Sequence, residues 1–122
     1  MTDAPSQTSA VRSAAIPAPS KRFTIATLVN SRPHYEEMLA SFDEAGFDRA
    51  SCEYLFVDNT GAGQTCAYRG LDHMLGEARG ELVILCHQDV RLVHDGRQEL
   101  EFRLAALEAL DPAWAIAGNA GG

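Results

Sequence analysis

The chain has 122 residues, 46% hydrophobic and 22% charged, with a formal net charge of −7, the composition of one small globular domain. That excludes wholesale disorder and a coiled coil, and no apolar run approaches the roughly 18 residues of a membrane span. Residues 1–22 carry a net +2, which leaves −9 on residues 23–122, so the domain repels a phosphate backbone and nucleic acid is not expected as a partner.

Residues 1–21 are rich in Ala, Ser, Pro and Thr, with almost nothing to bury. They read as a disordered leader without the apolar core of a secretory signal, ahead of a domain over 22–122. Cys52, Cys66 and Cys86 show no C-x-x-C spacing, so neither a disulfide framework nor a zinc knuckle is implied. Free thiols suit a reducing, cytoplasmic setting.

From Phe23 the pattern alternates. FTIATLV (23–29) is a short apolar, β-branched run and predicts a buried strand. Pro33 opens a helix that Gly46 closes, with Tyr35, Met38, Leu39 and Phe42 recurring on one face. EYLFV (53–57) predicts a second strand, ended by Asp58-Asn59-Thr60-Gly61. Thr65 is a candidate cap for a helix ending near Gly76 or Gly80, with Leu71, Met74 and Leu75 facing in. ELVILC (81–86) reads as a third strand, apolar on both faces as central parallel strands are. Asp95 is a candidate cap for a helix carrying Leu100, Leu104 and Leu107, which Asp111-Pro112 ends. WAIAG (114–118) predicts a fourth strand. The alternation implies an α/β fold, a layered and mostly parallel sheet with flanking helices, whose ligands bind beyond the carboxyl ends of the strands.

Polar residues gather at those ends. Val29 and Asn30 close the first strand, Asp58 and Asn59 the second, and His87-Gln88-Asp89 the third. Asp58 either accepts hydrogen bonds from a nucleotide or closes its own Asx turn. Gly61-Ala62-Gly63-Gln64-Thr65 has neither Walker nor dinucleotide-fingerprint spacing and reads as a turn into a helix N-terminus. In an extended segment His87 and Asp89 point to one side while Gln88 faces away. An imidazole with a carboxylate suits a divalent metal, Mn²⁺ ahead of Mg²⁺; the alternative is a polar strand end with an incidental histidine.

Three stretches, FTIATLVNSR (23–32), EYLFVDNTGAG (53–63) and GEARGELVILCHQDV (76–90), resemble the N-terminal half of inverting family-2 glycosyltransferases of the GT-A fold. HQDV is similar to the form that replaces D-x-D in the streptomycin-biosynthesis-type branch, and the final WAIAGNAGG resembles the strand and glycine turn that follow there. The resemblance implies a Rossmann-like nucleotide-binding half. Val29, Asn30 and Asn59 would lie along the nucleoside, Asp58 would bind the base, and Asp89 with His87 would hold the metal at the diphosphate. It implies transfer of a sugar from a nucleotide-diphosphate sugar to an unknown acceptor. The catalytic base would lie beyond Gly122, where the family continues and the domain is expected to be incomplete at its C-terminus. The alternative expectation is a non-catalytic or truncated nucleotide-sugar-binding module. An unpaired sheet edge would invite a homo-oligomer.

Overall fold

The computed structural model describes residues 21–61 and 66–118. The expectations for residues 1–20, the 62–65 turn with its Thr65 cap, and residues 119–122 lie outside the described residues. Among the described residues three parallel strands form the sheet: β1 (Phe23–Val29), β2 (Cys52–Asp58) and β3 (Leu82–Leu85), in the order β2-β1-β3. Phe23 to Val29 run in register with Cys52 to Asp58 on one side, and Phe23 to Ala26 with Leu82 to Leu85 on the other. β1 is therefore the central strand, and its continuous apolar and β-branched run is what a strand covered on both faces requires. Ordered pairing begins before it, since the Lys21 and Arg22 carbonyls accept from the Glu81 and Leu82 N–H groups at 2.9 and 3.1 Å.

Helix α1 (Arg32–Glu44) covers one face. The Ser31 hydroxyl caps it by accepting from the His34 N–H at 3.4 Å, and Pro33 stands in the first turn, where its missing N–H costs nothing. Tyr35, Met38 and Phe42 are buried against Phe23, Ile25 and Val29. The exit is a Schellman motif. Gly46, at φ 102°, donates to the Asp43 carbonyl, Phe47 donates to Phe42, and the two rings meet at 5.6 Å.

Helix α2 (Ala67–Glu77) covers the opposite face over β1 and β2. A Cβ on Gly70 would lie 2.8 Å from Leu28 Cδ1, so the helix rests directly on the strands there. Cys66 takes the cap position without a side-chain hydrogen bond.

Helix α3 (Arg97–Leu110) returns to the α1 face, where Leu100 and Leu104 pack on the core. The expected Asp95 cap is corrected: Gly96 holds the cap position, and the Arg97 N–H donates to the Ala45 carbonyl at the end of α1, 2.8 Å away. A neighbouring helix end satisfies the donor that a carboxylate was expected to satisfy.

Two further expectations are corrected. β3 is an edge strand among the described residues, not a central one; Leu82 and Ile84 pack on the core, while Val83 and Leu85 are 36% and 48% exposed. No strand forms over 114–118, where Ile116 is 92% exposed. Here the Trp114 N–H donates to the Asp111 carbonyl at 3.1 Å and the Trp114 indole N–H to Glu108 at 3.2 Å, so the segment begins by turning back on the end of α3 instead of extending along the sheet. Among the described residues no helix is long and apolar enough to cross a membrane.

A candidate ligand site at the β1–β3 strand ends

From β1 the chain crosses over one face to β2, then returns over the other face to β3 on the far side of β1. The order reverses between β1 and β3, and in parallel α/β sheets a crevice opens outside the carboxyl ends at that point. A cleft of about 400 Å³ lies there. Ala26, Leu28 and Leu85 supply apolar lining from the strands, Ala67, Leu71 and Met74 supply it from α2, and Asn30, His87, Gln88 and Asp89 supply the polar lining.

The polar rim is locked in place by Gln88. Its Oε1 accepts from the backbone N–H groups of Asn30 and Ser31, both at 3.0 Å, and its Nε2 donates to Asn30 Oδ1. Strand alternation would turn Gln88 away from the cleft, but β3 ends at Leu85 and the chain turns, the Val90 N–H donating to the His87 carbonyl at 3.2 Å. Arg91 fastens that turn to α1. Its guanidinium donates to the Gln88 and Val90 carbonyls at 3.1 and 2.9 Å, to the His34 carbonyl at 3.2 Å and to Glu37 at 2.8 Å. That last contact holds the Glu37 carboxyl below its usual range. The signal that would have exposed Gln88 is strand order, which makes the residues after β1 and β3 neighbours.

The other expected site residues fall as follows. Asn30, His87 and Asp89 line the cleft. Val29 is buried in the core and reaches the strand ends only through its carbonyl, which accepts from the Asn59 N–H at 2.6 Å. Asp58 is exposed and forms the Asx turn: its Oδ1 accepts from the Thr60 hydroxyl at 2.6 Å and the Thr60 N–H at 3.0 Å. Those bonds, with a smaller contribution from the Arg32 charge, hold its carboxyl below the usual range. Neither Asp58 nor Asn59 is part of the cleft lining. His87 and Asp89 share the rim, and among the described residues no three His, Cys, Asp or Glu side chains form a group able to hold a metal ion.

Cys86 also lines the cleft, but burial pushes its thiol up, against a smaller effect of Thr27, and its sulfur lies 3.8 Å from Met38 Sδ. The thiol packs against Met38 Sδ and lies 3.7 Å from the Thr27 hydroxyl. Among the described residues, no Lys or Arg lines the cleft.

No family model matches the chain. A curated protein of Fuscovulum blasticum named "ATP synthase subunits region ORF 6" is 37% identical over 99 residues, which is 81% of this chain and 40% of that relative. The chain thus spans about two fifths of the length of the curated relative it matches. The relative's name does not indicate glycosyltransferase activity. The sugar-transfer function expected from the resemblance is corrected on that finding.

Proposed function

We propose that this α/β domain binds a small organic ligand in the cleft between β1, β3 and α2, with a flat apolar body and a polar edge. The observation that carries the reading is the coincidence of the cleft with the reversal of strand order, since that is where the helices leave the strand ends uncovered. Its volume falls within the range of about 300–1,000 Å³ that small ligands occupy. Leu71, Met74 and Leu85 offer an apolar slot, and Asn30, His87, Gln88 and Asp89 give it a polar end. The Gln88 and Arg91 bonds fix that end before any ligand arrives, which lowers the entropic cost of binding.

The reading is tested by titrating the ¹⁵N-labelled chain with a panel of flat heterocycles and following its amide resonances. Saturable shifts at Asn30, Gln88, Asp89 and Leu71 are expected. Shifts confined to other surfaces, or none across the panel, would overturn it.

A further inference from the structure

The two edges of the sheet differ in how they are guarded. On β2, the Arg32 and Arg49 guanidinium groups lie over the Phe56 and Tyr54 rings at 5.0 and 5.6 Å, and Tyr35 meets Phe56 at 5.1 Å. Cations at an edge strand discourage its pairing with another copy, which would bring the same charges against them. β3 carries no such guard. No charged residue or proline occurs from Leu82 to Cys86, α2 lies over β1 and β2, and Val83 and Leu85 stay exposed.

The main chain of β3 is open in a definite pattern. The Leu82 and Cys86 N–H groups donate to the Arg22 and Ala26 carbonyls at 3.1 and 3.2 Å, in the parallel register of the two strands. Alternation then turns the N–H and C=O groups of Val83 and Leu85 away from β1, and among the described residues no strand pairs with them. These two residues flank Ile84, so the open edge is symmetric about it. A second β3 running antiparallel and centred on Ile84 sets Val83 of each copy opposite Leu85 of the other. Each pair can exchange two main-chain hydrogen bonds, and the exposed side chains of the pair meet on one face. Charge favours this sense. It separates the two Glu81 carboxylates to opposite ends of the ladder, each toward the other copy's His87, where a parallel pair would set them side by side.

We propose that the β3 edge is an interface at which two copies of this chain pair antiparallel into one continuous sheet. The contact is two-fold and uses the same edge of both copies, so it closes at a dimer. The ladder is short, and a dissociation constant of about 10–300 µM is expected. Leu85 also lines the cleft, so the second copy's Val83 comes to border the cleft on its β3 side. The interface itself does not depend on a ligand.

The test is sedimentation equilibrium of the chain without ligand over about 5–500 µM, where a monomer–dimer equilibrium is expected. Amide hydrogen exchange at the two ends of that range locates the contact. The Val83 and Leu85 N–H groups should slow by about two- to tenfold at the higher concentration, while those of Tyr54 and Phe56 on β2 stay unchanged. Val83→Lys puts a charge into the ladder at an exposed position and should raise the dissociation constant by more than about tenfold. Should that variant not fold, the exchange pattern of the parent chain decides alone. A monomer throughout, association beyond two copies, a dimer that survives Val83→Lys, or one whose Val83 and Leu85 amides gain no protection would overturn the proposal. Ligand-induced shifts at Asn30 and Gln88 would stand in any of these cases, so failure of the interface is distinguishable from failure of the cleft.

Discussion

The side chain of Gln88 accepts hydrogen bonds from the Asn30 and Ser31 N–H groups, both at 3.0 Å, and donates to the Asn30 side chain. One carboxamide thereby joins the exit of β1 to the exit of β3 across 58 residues of sequence. Ser31 also caps α1, so the same contact fixes where that helix begins. Gln88→Leu leaves the two N–H groups without this acceptor, and a loss of about 1–2 kcal/mol is expected. Gln88→Glu keeps the acceptor oxygens and loses only the donor to Asn30, so it should cost less. Chemical denaturation midpoints of the two variants against the parent chain check the order.

At the opposite end of the sheet Gly80 is pressed against β1. A Cβ there would lie 2.5 Å from the Thr24 nitrogen and 2.7 Å from the Phe23 carbonyl carbon, both backbone atoms that cannot step aside. The Gly80 N–H also donates to Thr24 Oγ1 at 2.8 Å, and that hydroxyl donates to Glu53 at 2.7 Å. Gly80→Ala should therefore separate β3 from β1 and cost about 2–3 kcal/mol, read as a fall in thermal midpoint. Gly76→Ala is the control, because open space surrounds the Cβ position of Gly76.

How much of this was legible in the sequence depends on how local each signal is. β1, α1 and β2 follow from runs and spacings within a dozen residues: FTIATLV, the Tyr35-Met38-Phe42 stripe, and the YLFV run before Asp58. The position of β3 was not legible. An apolar strand reads the same whether or not both its faces are covered, and Val83 and Leu85 remain half open. The absence of a strand at 114–118 was not legible either, because the contacts of Trp114 with Asp111 and Glu108 arise only once α3 has formed. Of the expected site, Asn30, His87 and Asp89 were legible as polar residues at strand ends. Gln88 was not, because alternation holds only to Leu85 and the side chain's partners lie 57 and 58 residues away.

Asp58 offers a direct contrast with the cleft residues. Its carboxylate is held by Thr60 and does not line the cleft. Asp58→Ala should loosen the turn at 58–60 while changing the affinity for a cleft ligand by less than about twofold, a free-energy change under ~0.5 kcal/mol. A parallel titration of Asn30→Ala should show the larger loss.

The pH dependence of stability should show the depression of Glu101. Its carboxylate accepts from Arg22 Nε at 3.2 Å and Nη2 at 2.9 Å, with Arg97 Nε 3.7 Å away. The Arg22 contact is the main cause that holds it below its ordinary value of 4.5. A group with a lower pKa when folded adds stability that is fully present above its unfolded value and is lost as pH falls through the folded one. Stability should therefore decline below about pH 4.5, and Glu101→Gln should flatten that decline. The side chain is 35% exposed, so solvent and salt screen the pair and the effect should shrink in high salt. Urea unfolding at stepped pH, at low and high ionic strength, reads both.

The most direct test of ligand binding in the cleft is to fill it. Leu71 lines the cleft from α2 and is not part of the buried core. Leu71→Trp should therefore occupy the slot at little cost to stability. Calorimetric titration with the heterocycle that shifts the cleft amides most is the measurement, with the thermal midpoint as the check on folding. Affinity should fall by more than about tenfold, equivalent to ~1.4 kcal/mol, while the midpoint stays within a few degrees of the parent. A folded Leu71→Trp variant that binds that heterocycle as tightly as the parent would place the ligand elsewhere and contradict the site.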